Sequence, residues 1–342
     1  MQDWGRHSVM SVRSHPAAVL YQGLNKTRPF PALSACEHYA GSEKLIHKAL
    51  ALQADLGPIF DITCDCEDGA PTGRERQHAE MIASCIMSAN NRHNRVGARI
   101  HDITHACWRD DLEIIVKTAG SRLAYLVLPK VRSIDDALTQ ISSLQTVQTA
   151  HGISSPIPVH VLIETPGGLR DTWQIAAQPS VESIDFGLMD YVSAHHGAIP
   201  ASAMQSPGQF EHRLIIRAKA EIAAAALGNG IVPSHNICVE IHDTDVVRAD
   251  ARRAREEFGF LRMWSIHPNQ ILPIVEAMRA NFAEVSHAAD ILVAAQDADW
   301  GPIQLAGKLH DRASYRYYWD ILRRAQVSGT QLPAAAKERF FN

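Results

Sequence analysis

Short apolar runs rich in β-branched residues recur along the chain, each stopped by glycine, proline or an acid and followed by a stretch with helical spacing. Residues 19–23, 58–64, 95–100, 123–130, 158–163, 183–189, 236–241 and 263–266 are such runs and predict eight strands. The segments between them read as helices. Ser42 caps a helix over 42–50, the stretch 169–178 is long enough for a crossover helix, and Phe210, Leu214, Ala218, Ile222 and Ala226 recur at a four-residue interval before Gly228 stops them. A charged helix over 250–258 closes at Gly259. Strands alternating with helices, with no glycine-rich dinucleotide turn, predict an α/β protein built as a (β/α)8 TIM barrel rather than a doubly wound sheet. Residues 1–17 show no periodicity and read as a loose N-terminal arm; 18–296 read as the barrel domain with its last helix over 271–295; 297–342 read as a C-terminal helical extension, a lid or oligomerisation element.

Composition narrows the class. A chain of 342 residues, 46% hydrophobic and 20% charged, can bury a large core. The net charge of -4 comes without a basic stripe, which speaks against nucleic acid. No apolar run approaches the roughly 18–20 residues that span a bilayer. The N-terminus lacks a basic segment followed by an apolar core, so a cytoplasmic protein is expected. Six scattered cysteines (36, 64, 66, 85, 107 and 238) read as reduced thiols, because no second ligand pair follows Cys64 and Cys66 at a metal-site spacing.

The chemistry lies where the strands end. The run 158–163 leads into Glu164 and the run 183–189 into Asp190, and a crossover between two parallel strands sets these acids side by side. Two neighbouring carboxylates repel, so they need a proton, a cationic side chain or a metal between them. Oxygen-only ligation favours a hard divalent ion, Mg²⁺ or Mn²⁺. In a barrel the site lies at the carboxyl ends of the strands, which adds Asp65, Glu67, Asp68, Arg99, Lys130 and His267. Arg99 suits bidentate binding of an oxo-acid carboxylate and stabilisation of an oxyanion or enolate; its plainer reading is a salt bridge to Glu67 or Asp68. Lys130 is a candidate Schiff-base lysine and His267 a candidate base, each with a structural alternative.

In this order the motifs resemble those of the HpcH/HpaI aldolase and citrate lyase β-subunit family, which includes the malyl-CoA lyases. Asp65-Cys66-Glu67-Asp68 looks like the family's D-L-E-D, Arg99-Ile100 like R-I/V-N, and Leu128-Pro129-Lys130-Val131 like P-K-V. Ile163-Glu164-Thr165 and Gly187-Leu188-Met189-Asp190 resemble the I-E-T and G-x-x-D metal motifs, and Ile266-His267-Pro268-Asn269-Gln270 resembles I-H-P-x-Q. The resemblance implies Mg²⁺ held by Glu164 and Asp190, Glu67 and Asp68 bonding its waters or Arg99, and Arg99 with Glu164 facing the oxo acid. Gly307 to Arg312 looks like the family's G-K-M-V-D, which implies a lid whose Asp311 acts as acid or base in a neighbouring subunit of a homo-oligomer, a trimer or hexamer. Two departures stand out. The family's opening R-S-x-L-x-x-P-G strand, which helps hold coenzyme A, is represented by Ala18 to Gly23, and His101 replaces the usual Asn beyond the arginine. The expected activity is a Mg²⁺-dependent carbon–carbon lyase acting on a 3-hydroxyacyl-CoA or related hydroxy acid. The alternatives are a pyruvate-type class II aldolase or a thioesterase on the same seat, and, outside enzymes, a non-catalytic acyl-CoA or oxo-acid binding protein.

Overall fold

The computed structural model describes residues 14–21 and 30–341. Eight parallel strands close into a barrel in sequence order: β1 (Cys36–Ala40), β2 (Phe60–Asp65), β3 (Val96–Arg99), β4 (Leu126–Leu128), β5 (Val159–Ile163), β6 (Val181–Phe186), β7 (Val232–His235) and β8 (Arg262–Ser265). Every residue of β5 is buried, because a barrel strand has covered faces on both sides. Val159, Val161 and Ile163 join the core shared with the surrounding helices, whereas Leu162 packs with Tyr125, Val127 and Trp264 in a separate cluster. The helices begin where the sequence supplies caps. Ser42 accepts from Leu45 N–H ahead of Glu43–Leu56, Ser133 from Asp136 N–H ahead of Ile134–Ala150, and Asp243 caps Thr244–Phe258, which Gly259 closes with φ 81°.

Three expected elements move. The first strand is Cys36–Ala40, not 19–23: Pro16–Val19 is a helical turn that puts Leu20 into another core, and residues 22 and 23 lie outside the described residues. Glu37 and His38 hide the true strand, because they read as polar yet are buried. The seventh strand is Val232–His235 rather than 236–241; its Pro233 and Ser234 disguise it. The crossover over 169–178 is two short helices, Pro166–Arg170 and Thr172–Ala176, broken at Asp171.

The chain forms two compact units. One is the barrel, to Arg279. The other joins 14–21 to 280–341. The expected last barrel helix is two helices, Pro268–Met278 and Phe282–Asp297, the second opened by an Asn281–Glu284 capping box. The division therefore falls at 279/280, where 296/297 was expected, because Val285, Ile291 and Leu292 share a core with Tyr315, Trp319, Leu322 and Phe340. Residues 14–17 of the expected loose arm are tied down: Ser14 O accepts from Gln296 Nε2 and Trp300 Nε1, and His15 Nε2 meets Phe340 O at 3.0 Å. A two-stranded hairpin, Ile303–Leu305 with Lys308–His310, precedes the helix Arg312–Val327. No helix among the described residues is long and apolar enough to cross a membrane.

Candidate active site

The strand register brings the first pair of charges together. Asp65 ends β2 opposite Arg99, which ends β3. The Asp65 carboxylate takes Arg99 Nε at 2.7 Å and Nη2 at 2.6 Å, and also accepts the backbone N–H groups of Glu67 and Gly69 at 3.0 and 2.8 Å. Burial pushes this carboxyl up, but the charge and hydrogen bonds of Arg99 outweigh it and hold the group below its ordinary value. Arg99 Nη1 stands 3.1 Å from Glu67 Oε2. The side-on fork of the guanidinium is thus engaged within the protein, and two of its five N–H bonds remain. Of the salt bridges expected with Glu67 or Asp68, the one with Glu67 forms and Asp65 adds a second; Asp68 turns to Lys130, 3.0 Å away.

Lys130 connects the two halves of the site. Its Nζ bonds Glu67 Oε1 and lies 4.0 Å from Asp190 Oδ1, while its backbone N–H donates to Glu164 Oε1 at 2.6 Å from a left-handed conformation, φ 49°. Burial lowers the Lys130 ammonium, but its bonds to Glu67 and Asp68 more than offset this, so its proton is held tightly. A Schiff-base role needs the reverse. Glu164 is buried, and desolvation, with the Asp190 charge adding, pushes it up to about 8 against the opposing pull of Arg99. Burial likewise raises Glu67, whereas the bonds of Asp68 to Glu67 and Lys130 bring Asp68 below its usual value. The glycine of the G-x-x-D motif has a steric reason: a Cβ on Gly187 would lie 2.2 Å from Glu164 Oε2. Asp190 sits on the helix Leu188–Ser193, one short segment beyond the end of β6 rather than at the strand's tip.

The mouth therefore gathers Asp65, Glu67, Asp68, Glu164 and Asp190 against Arg99 and Lys130, an excess of three negative charges when every carboxyl is ionised. An all-oxygen set with a buried acid raised to about 8 fits a hard divalent cation. Two candidates are engaged as helix caps. His267 caps the helix Pro268–Met278, accepting from Asn269 N–H, and Gln270 of the same motif donates to the Cys238 and Glu240 carbonyls, tying down the loop after β7. Asp311 belongs to the other unit, where it caps Arg312–Val327 through Ala313 and Ser314 N–H. The apolar stripe following it is largely consumed at home, since Tyr315, Trp319 and Leu322 are buried in that unit's core while Tyr317 stays exposed. Sequence reasoning missed the partner of His101: its backbone N–H and Nδ1 both meet buried Asp111 Oδ2, at 3.0 and 2.6 Å, and its ring stacks on His105 at 3.9 Å. The ten-residue separation across a loop gave no signal for that pair.

A parallel barrel with acids and a fixed arginine at the carboxyl ends of its strands can serve many chemistries, and the family match selects a carbon–carbon lyase. The chain belongs to the HpcH/HpaI aldolase/citrate lyase family, whose pattern matches residues 40–268. It is 53% identical to a solved citrate lyase from Burkholderia xenovorans LB400, with a TM-score of 0.85 over 96% of this chain and 100% of that one. It is 26% identical to the L-malyl-CoA/beta-methylmalyl-CoA lyase of Rhodobacter capsulatus over 88% of this chain and 97% of that one. The fold is shared with Mycobacterium tuberculosis CitE, solved in complex with magnesium, acetoacetate and coenzyme A, at 21% identity and a TM-score of 0.66 over 86% of this chain and 99% of that one. Set against the family's R-S-x-L-x-x-P-G strand, β1 and its flanks read Ser34-Ala35-Cys36-Glu37-His38-Tyr39-Ala40-Gly41, so only the final glycine recurs. A Cβ on Gly41 would lie 2.1 Å from the Gly69 carbonyl, so a side chain there would collide with the acid loop.

Proposed function

We propose that the chain is a Mg²⁺-dependent carbon–carbon lyase that cleaves a 3-hydroxyacyl-CoA thioester, or a related hydroxy acid, into an oxo acid and an enolate-derived partner. The observation that carries this reading is the buried Glu164, gathered with Glu67, Asp68 and Asp190 around Lys130 in a mouth where carboxylates outnumber cations. Glu164 and Asp190 would hold Mg²⁺ or Mn²⁺, which supplies a Lewis acid for the carbonyl oxygen of the oxo acid. Arg99, immobilised by Asp65, turns its two remaining N–H bonds to that oxygen or its carboxylate and needs no reorganisation as charge develops. Glu67 and Asp68 keep Lys130 and Arg99 in place. As the carbon–carbon bond breaks, the substrate hydroxyl gives up its proton to solvent and becomes the oxo group, and the thioester carbanion takes a proton from Asp311 of a neighbouring subunit. Exposed Leu309 and Tyr317 flank that aspartate and support a homo-oligomer in which the C-terminal unit acts as a lid. The relatives named malyl-CoA lyases support a thioester substrate. The altered β1 flank supports the second reading, a free hydroxy acid, because the residues that help hold coenzyme A in the family are replaced here. Six free thiols support a cytoplasmic setting.

The test co-assembles Asp311→Asn subunits with Arg99→Ala subunits, each inactive alone, and assays them with Mg²⁺ against malyl-CoA, citramalyl-CoA, citryl-CoA and free hydroxy acids. Partial activity in the mixed oligomer is the expected result, since some sites then combine an intact barrel with an intact lid. Inactive hetero-oligomers of verified mass, or a fully active monomer, would remove the shared-site mechanism. Cleavage of free hydroxy acids alone would select the second reading.

A further inference from the structure

The barrel interior holds a second group of titratable side chains that the lyase chemistry does not use. Glu37 on β1, His160 on β5 and Asp185 on β6 are fully buried, and one ligand atom from each lies within 4.8 Å of the others. Their far sides are tied down. Glu37 Oε1 accepts from Thr63 Oγ1 at 2.6 Å, Asp185 Oδ1 accepts from Ser183 Oγ, and His160 Nε2 lies 3.0 Å from Glu182 Oε1. That last contact places a proton on Nε2, because a carboxylate only accepts. Their near sides are open: Glu37 Oε2, His160 Nδ1 and Asp185 Oδ2 are buried without a hydrogen-bond partner. His160 Nδ1 stands 4.0 Å from Asp185 Oδ2, too far for a hydrogen bond. The imidazole is held in this orientation by stacking on Tyr125, 3.9 Å between centroids and 10° between planes.

Buried acceptors that face one another require a donor or a cation. Arg262 is the nearest fixed cation, but its Nη2 bonds Asp61 Oδ2 at 2.8 Å and reaches Glu37 Oε2 only at 3.3 Å, without hydrogen-bond geometry. Arg95 also serves Asp61, at 3.1 Å. With every carboxyl ionised, Glu37, Asp61, Asp185 and Glu182 face Arg95 and Arg262 with two negative charges in excess when His160 is neutral, and one when it is protonated.

We propose that this is a second metal centre, in which His160 Nδ1, Asp185 and Glu37 bind a divalent transition-metal ion that links β1, β5 and β6. One imidazole with two carboxylates suits Mn²⁺, Fe²⁺ or Zn²⁺ rather than the Mg²⁺ assigned to the mouth. Glu182 stands behind the imidazole as the outer carboxylate that fixes the tautomer of a ligating histidine. The divalent charge cancels the interior excess. A cavity of about 300 Å³ at the amino ends of the strands is lined by Asp61, Arg95, Tyr125 and Glu182, the last two of which touch the imidazole from behind. The centre is structural, and it serves whichever substrate the mouth accepts.

The test loads the full-length protein with Mn²⁺ or Zn²⁺ in separate samples, strips loose ions in excess Mg²⁺, and counts the retained metal by mass spectrometry. About one ion per chain is expected in the parent and in Glu164→Gln, which lacks the mouth ligand. Glu182→Gln should hold it about 10- to 100-fold more weakly. Asp185→Asn should lose it. Fewer than about one ion in ten parent chains, or a folded Asp185→Asn protein that retains the ion, overturns the centre and leaves an ordered water with a proton shared between His160 and Asp185. If Asp185→Asn does not fold, anomalous diffraction from the loaded parent decides: a peak at bonding distance from His160 Nδ1 supports the centre, and the lack of one there overturns it.

Discussion

The mouth and the interior of this barrel are both crowded with carboxylates and guanidinium groups, yet they meet the cost of burial in different ways. At the mouth nearly every charge has a partner at hydrogen-bond distance: Asp65 grips Arg99 with both oxygens, and Lys130 is shared between Glu67 and Asp68. In the interior the partners satisfy one side of each group only, and Glu37, His160, Asp185 and Arg262 all keep unpaired polar atoms. The contrast separates two tasks. A site that must receive a charged substrate is held rigid by internal pairing and left short of positive charge overall, whereas a closed interior has no substrate to supply what it lacks. Unmatched buried atoms there point to a resident.

The largest effect should come from the mouth. Glu164→Gln and Asp190→Asn are each expected to abolish Mg²⁺ binding and turnover while leaving circular dichroism unchanged; calorimetry that showed either variant taking up the ion like the parent would disqualify this pair as the metal seat. A substantial loss of stability should come from the interior. Arg262→Met leaves Asp61 with Arg95 alone and Glu37 buried without a guanidinium, and should cost about 3–5 kcal/mol in urea unfolding, with little change in Mg²⁺ affinity. A loss below about 1 kcal/mol would mean that the interior is screened like a surface.

The smallest effect sharpens the comparison through pH. His101, on the mouth side, is lowered by burial but raised more by its bond to Asp111 and by that charge, so its folded value lies above the ordinary one. A raised histidine contributes its full stabilisation below the unfolded value of about 6.5 and loses it as pH climbs through the folded value. Asp111→Asn should therefore lower stability by about 1.5–3 kcal/mol at pH 5.5 and by clearly less at pH 9. Equal losses at the two pH values would show that Asp111 acts only on the backbone N–H of His101.

Much of this was legible in the chain. Strands two to six and eight announce themselves by β-branched runs, and the acids at their ends follow from the barrel's polarity. β1 and β7 did not, for one reason: a strand whose inward face meets a charged interior loses its apolar alternation, so Cys36-Glu37-His38-Tyr39 and Val232-Pro233-Ser234-His235 look like loops. The residues of the mouth could be named from sequence, but not their pairing, since whether Arg99 turns to Asp65 or Asp68 depends on the register between β2 and β3. The interior cluster left no trace, because its members sit 123 and 25 residues apart, at positions 37, 160 and 185, and meet only when the barrel closes.

The grip of Asp65 on Arg99 also bears on how such enzymes diversify. Because the arginine is anchored by the protein and not by its ligand, its geometry does not depend on what stands two residues further along, where this chain carries His101. Positions 101, 105 and 111 can then drift together while the bond-breaking apparatus stays unchanged. A combinatorial library confined to those three codons should therefore return folded variants in which Asp65 still holds Arg99.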